Sequence, residues 1–192
     1  YVPYNMRELE DLVRACENQG VGSMLKVDFQ NRGYMAQKAM AMGFQAILFT
    51  DHQNAEQVKE TIYLTTPETP KYNGRFGYPN GRWLGYNPEP SQMEYVEMNA
   101  SVVKAFMIEK KSAVDDIENI CKVQGVDMIQ FGPSDYCMSI GCNSAEHKAE
   151  WKAAEKHCIE VALANNVRPR VELYNVEDAE YYKELGVKDF CI

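Results

Sequence analysis

The chain has 192 residues, 45% of them hydrophobic, and a net charge of −8 with an isoelectric point near 5.0. That apolar content suffices for one core and one domain, and the acidic balance argues against nucleic acid, whose partners carry a basic patch. No apolar run reaches the ~18 residues of a membrane span, and the visible N-terminus carries no signal peptide. The 6 cysteines are scattered without a CxxC pair and read as free thiols of a reducing cytosol, so a cytoplasmic location is expected.

In chain order, Tyr1 to Asn5 is an extended lead-in. MRELEDLVRACENQG is an amphipathic helix: Met6, Leu9, Leu12, Val13 and Cys16 share one face, and Gly20 lies past its end. SMLKV is a buried strand with Lys26 near its C-terminal end, and Tyr34 to Met42 is a helix closed by Gly43. AILFT, the next strand, delivers Thr50, Asp51 and His52 to its C-terminal end. Asn54 caps the following helix, with Gln57 three positions on. Residues 67–90 are rich in Gly, Pro and aromatic side chains and show no period. A loop this long in a compact domain is functional or disordered, and its Tyr, Phe and Trp favour an ordered lid or subunit contact. Ser91 to Asn99 returns to helix.

The stretch from Val102 to Gly141 organises the rest. VVKAFMI has strand length. Ser112 and Asp115 have capping-box spacing, ahead of an apolar face of Ala113, Val114, Ile117, Ile120 and Cys121, and Gly125 ends the helix. DMIQF is a second strand, broken by GPSD. Then come a helix over Ala145 to Asn165, the strand PRVEL, the helix VEDAEYYKELG and a last strand VKDFCI. Six strands, mostly alternating with helices, form the pattern of a parallel α/β sheet. Ligands bind such folds at the C-terminal strand ends, where Glu109 and Asp135 each stand just past a strand. A strand-end acid on its own is more often a helix cap or ion-pair partner. As a pair, with no Cys or His at zinc spacing, these two favour Mg2+, Mn2+ or Co2+ over structural zinc. They leave octahedral positions for water and a chelating 2-oxo acid.

MIEK, GVD and FGPSDYCMSIG resemble the metal-dependent (class II) pyruvate aldolases of the HpcH/HpaI family. The motif of that family is an apolar strand ending in I-E-T, then G-V-D, then F-x-G-P-x-D-L and a small-residue run to Gly. AILFTDHQNAEQVKE is similar to the family's strand and N-x-A-E-x helix, and NGRFG to its G-x-R-G-x-G loop. The resemblance implies a (β/α)8 TIM barrel of the phosphoenolpyruvate/pyruvate-domain type. One domain over residues 1–192 would hold six of the eight strands, truncated at both ends, since a complete barrel takes about 250 residues. It implies a carbon–carbon lyase that splits a 4-hydroxy-2-oxo acid into pyruvate and an aldehyde, with the enolate stabilised by Mg2+ or Mn2+. Glu109 and Asp135 would hold the metal, Gly132, Pro133, Ser134 and Asp135 the substrate carboxylate, and Lys26 the enolate oxygen. The partners implied are the oxo acid and further copies of the chain, as a trimer or hexamer, with no nucleic acid and no membrane.

Several positions depart from the family. Lys26 stands where the family has Arg, keeping the charge and losing the planar fork. The family's active-site His falls on Tyr1, a poor base at a pKa near 10. Lys110 replaces the Thr after the metal Glu, and Thr50-Asp51-His52 replaces P-M-V. His52 sits at the end of its strand where it can serve as the missing base; alternatively Asp51 and His52 cap the next helix or line the rim. Arg75 reads as an exposed loop residue, and His147 and His157 as solvated. Lys104, Lys110 and Lys111 have no local sign of the apolar pocket that a Schiff-base lysine needs. The same metal site would also serve a decarboxylase, another 2-oxo acid lyase, or a homologue that binds metal and oxo acid without turnover.

Overall fold

The apolar runs become short parallel strands and the amphipathic segments between them become helices, in a computed structural model that describes residues 5–78 and 91–191. The chain divides into two compact units, one of residues 1–49 and 60–104, the other of residues 50–59 and 105–192.

In the first unit, α1 (Met6–Asn18) is capped by Asn5, whose side chain accepts the Arg7 backbone N–H at 3.1 Å. β1 (Met24–Val27) runs parallel to β2 (Ala46–Phe49), pairing Leu25 with Ile47 and Val27 with Phe49, all four buried. Between them α2 (Arg32–Met42) ends at Gly43, whose φ of 103° is the left-handed cap that glycine adopts without a Cβ penalty. Arg32 lies over the Phe29 ring at 3.9 Å and binds Thr61 at 2.7 Å and Glu60 at 2.6 Å. The expected aromatic loop is ordered over residues 67–78. Glu68 N–H donates to the Phe76 carbonyl at 2.9 Å, Phe76 N–H to the Thr66 carbonyl at 2.8 Å, and the buried Phe76 ring meets Tyr95 edge-on. The remainder of that loop, 79–90, and Tyr1 lie outside the described residues. α4 (Gln92–Ala100) carries a complete capping box between Ser91 and Glu94.

α3 (Ala55–Thr65) begins in the second unit and ends in the first, and β3 (Val103–Ile108) begins in the first and ends in the second. The expected cap of α3 is present: Asn54 Oδ1 accepts the Gln57 N–H at 3.0 Å, and Gln57 Oε1 accepts the Gln53 N–H at 2.8 Å.

The second unit carries β3, β4 (Met128–Phe131), β5 (Arg168–Glu172) and β6 (Asp189–Cys191), paired in parallel in chain order. β4 is buried at every position and β3 at all but its first, the signature of parallel strands covered on both faces. α8 (Lys148–Ala164) and α9 (Ala179–Glu184) pack on this sheet through a core of Ile159, Val171, Leu173, Ala179, Tyr182 and Val187. Buried Glu155 is satisfied by the Tyr182 hydroxyl at 2.7 Å and Lys152 at 3.1 Å.

The single helix expected after Ser112 is two: α5 (Lys111–Asp115) and α6 (Ile117–Cys121). Asp116 interrupts them because its carboxylate accepts the Ala55 N–H that opens α3 at 2.7 Å and the Asn119 amide at 2.7 Å. Ser112 lies inside α5 and is not its cap; the Lys111 N–H donates instead to the Ser139 hydroxyl at 3.0 Å. The apolar face assigned to this segment is correct, with Ala113, Val114, Ile117, Ile120 and Cys121 all buried. Among the described residues no helix is long and apolar enough to cross a membrane.

Candidate functional site

The site begins with strand register. β3 and β4 pair Met107 with Gln130 and Ile108 with Phe131. Side chains alternate along a strand, so the residues just past each end, Glu109 and Gly132, share the face that carries Met107 and Gln130. Glu109 is 2% exposed, and a carboxylate so deeply placed needs polar partners. Its Oε1 accepts the backbone N–H of Asp51 at 2.8 Å. Gly132 donates its N–H to the Ile108 carbonyl at 3.1 Å, which brings the two strand ends together. A Cβ at position 132 would stand 2.8 Å from Glu109 Cβ and 2.9 Å from its Oε2. Only glycine leaves the second oxygen of Glu109 its space.

Gly132 is also the N-cap of α7 (Pro133–Ser139), with Pro133 at the helix start, where its missing N–H costs nothing. Asp135 falls in the first turn, where the helix dipole favours an acid. Lys110, the residue after Glu109, reaches across the strand ends. Its ammonium lies 2.8 Å from Asp51 Oδ1 and 3.4 Å from Asp135 Oδ1, with the lysine side chain 19% exposed. Burial acts to lower the Lys110 pKa. The hydrogen bond to Asp51 and the charges of Asp51, Asp135 and Glu109 outweigh it and hold the ammonium above its ordinary value.

Asp51 ties this arrangement together. Its φ of 61° is left-handed, a conformation that Asp tolerates better than most residues. The twist aims its N–H at Glu109 while its carboxylate accepts from Lys110 and from the Thr50 hydroxyl at 3.0 Å. The Lys110 ammonium thus meets two carboxylates, Asp51 and Asp135, beside buried Glu109, a cluster of hard oxygen donors that suits a cation. Among the described residues no three His, Cys, Asp or Glu side chains surround a single point. Glu109 and Asp135 would therefore act as two hard oxygen donors, with water and substrate completing the shell, which fits Mg2+ or Mn2+.

The structure thus joins Glu109, Gly132 and Pro133 to Asp135 through Lys110, with Ser134 exposed beside them. His52, the residue expected as a base, lies past the end of β2 in the second unit. The ring is fully buried, one nitrogen 2.8 Å from the Thr50 carbonyl and its edge against Phe106 at 5.1 Å. The contact with the Thr50 carbonyl holds the ring beside the turn that carries Asp51. Lys26 is exposed on β1 in the first unit. Arg75 and His157 are exposed, and His147 pairs with Glu150 at 3.2 Å. The sequence places Asp51 at a strand end and Lys110 beside Glu109 but does not show that the two meet. The available signal was their place: each stands just past a strand, at the same end as the acids.

This fold and these residues define an α/β protein of parallel strands with a carboxylate-rich site at their C-terminal ends. The chain belongs to the HpcH/HpaI aldolase/citrate lyase family, whose profile matches residues 5–186. A hydroxypyruvate/pyruvate aldolase of Paraburkholderia phytofirmans is 21% identical over 82% of this chain and 61% of its own length. A 4-hydroxy-2-oxovalerate aldolase of Novosphingobium aromaticivorans is 31% identical over 54% of this chain and 38% of its own. The chain therefore spans less than two thirds of the length of these curated relatives. Among solved structures, the citrate synthase SbnG aligns with all of this chain and 73% of its own at a TM-score of 0.86 and 23% identity. The CitE protein of Mycobacterium tuberculosis, in complex with magnesium and acetoacetate, aligns with 87% of this chain and 61% of its own at 0.53 and 10%. At these identities the structural likeness shows the shared fold.

Proposed function

We propose that the chain is a carbon–carbon lyase of the pyruvate-aldolase type, which splits a 4-hydroxy-2-oxo acid into pyruvate and an aldehyde. The observation that carries this reading is the strand-end site, in which buried Glu109, side-chain-free Gly132 and Asp135 at the opening of α7 adjoin one another. Family membership and the names of the aldolase relatives support the reaction class. The six strands are read as part of a (β/α)8 barrel of the phosphoenolpyruvate/pyruvate-domain type, and the working protein as a cytoplasmic homo-oligomer.

Glu109 and Asp135 would hold Mg2+ or Mn2+, a choice supported by their hard oxygen donors and by the magnesium complex of the structural relative. When bound, the ion supplies Lewis-acid stabilisation of the negative charge that develops on the keto oxygen as the carbon–carbon bond breaks. The chain's own groups do the rest. The backbone N–H groups of Ser134 and Asp135, in the first turn of α7 where no carbonyl of the helix reaches them, orient the substrate carboxylate. Lys26, by its match to the family's arginine, places a second positive charge at the enolate oxygen. His52 positions Asp51, whose N–H fixes the rotamer of Glu109.

The test is turnover of short 4-hydroxy-2-oxo acids by the intact chain with Mn2+, read as pyruvate released. Pyruvate formation that is lost in Glu109→Gln supports the proposal. Release of CO2 without an aldehyde would reassign the site to a decarboxylase, and binding without turnover would reassign it to a non-catalytic oxo-acid carrier.

A further inference from the structure

We propose that Lys110 is a tethered competitor of the divalent cation at Asp135, and that Asp51 sets the metal affinity of the site by holding Lys110 aside. This rests on the reading of Glu109 and Asp135 as the metal donors.

The geometry is asymmetric. The Lys110 ammonium is hydrogen-bonded to Asp51 at 2.8 Å and stands 3.4 Å from Asp135 Oδ1. The Lys110 and Asp51 side chains are 19% and 24% exposed, whereas Asp135 is 43% exposed. The more sheltered pair is also the shorter, and the looser contact is the one a cation must break. A divalent ion on the Asp135 oxygen, at the ~2.1 Å of a Mg2+–oxygen bond, would face the ammonium at close range, and like charges so near repel strongly. Lys110 therefore gives up Asp135 when the ion arrives and remains on Asp51. Without the ion its ammonium lies between the carboxylates of Asp51 and Asp135.

Asp51 has a second duty, because its left-handed backbone donates to Glu109 Oε1. Asn is the substitution that separates the two duties: it tolerates the same backbone twist and keeps the N–H while removing the charge that holds Lys110.

The experiment is calorimetric titration of the intact chain with Mn2+ alone, with far-UV circular dichroism and metal-free melting temperature as the check on folding. Lys110→Met is expected to bind Mn2+ about tenfold more tightly than the parent chain, and Asp51→Asn about tenfold more weakly. In the double variant, Asp51→Asn is expected to shift the affinity by less than about threefold, because its partner is gone. Lys110→Arg, which keeps the cation, should stay near the parent value. Should Lys110→Met unfold, Lys110→Gln carries the same expectation. An unchanged affinity in folded Lys110→Met, with binding still abolished in Asp135→Asn, overturns the competition and leaves the metal site standing. Mn2+ bound by neither the parent chain nor Lys110→Met overturns the site reading and this inference together.

Discussion

Two lysines stand at the C-terminal ends of parallel strands in the two units, and their surroundings differ sharply. Lys26, on β1 in the first unit, has an exposed side chain. Lys110, two residues past β3 in the second, is largely enclosed, its ammonium between Asp51 and Asp135. Each lies near the C-terminal end of its own strand. Lys110 is distinguished by its ammonium lying between two carboxyl groups, Asp51 and Asp135. The comparison teaches that the charge balance of the site is set locally, by Asp51 and the residues just past β3 and β4.

The sharpest break of that picture is Glu109→Gln. The variant keeps the shape of the side chain and its bond to Asp51 while removing the charge, and Mn2+ affinity should fall about 100-fold or more. Calorimetry reads the loss, and undiminished binding would remove Glu109 from the metal shell. Gly132→Ala comes next. The new methyl overlaps Glu109, so the carboxylate must move; Mn2+ affinity should drop about tenfold and stability by roughly 1–3 kcal/mol in a urea melt. The two lysines are then compared directly through Lys26→Met. It should leave Mn2+ binding within about twofold of the parent while lowering kcat about 100-fold, the loss typical of one removed electrostatic donor. A change in metal affinity as large as that of Lys110→Met would make the two lysines equivalent and erase the contrast. The smallest effect is expected at Asp116→Ala, which deprives the first N–H of α3 of its acceptor. It should cost about 1 kcal/mol of stability, as loss of a cap does, with no change in Mn2+ affinity.

Much of this molecule was legible in its sequence, because the signals were local. The strands follow from short apolar runs, α2 stops at Gly43, and Asn54 with Gln57 opens α3 as their spacing implies. The strand-end placement of Glu109, Gly132 and Asp135 follows from the same pattern together with the motif. What sequence did not disclose depends on partners distant in the chain. The break between α5 and α6 is made by Asp116 turning to Ala55, 61 positions away. The capping spacing of Ser112 and Asp115 lost to Ser139, which reaches the Lys111 N–H from the end of α7. The same holds for His52: its place past β2 gave the right strand end, but burial against Phe106 directs the ring inward. For Lys110, nothing in its own neighbourhood in the chain announces that Asp51 and Asp135 converge on it.

The central claim is that Glu109 and Asp135 form a working cation site for a 2-oxo acid. It is tested most directly by calorimetric titration of Mn2+ into the intact chain, with and without oxalate, a planar mimic of the pyruvate enolate, alongside Asp135→Asn. Mn2+ is expected to bind, oxalate to tighten it, and both effects to disappear in the variant. A folded chain that binds no Mn2+ with or without oxalate, or an Asp135→Asn variant that binds as the parent does, would contradict it.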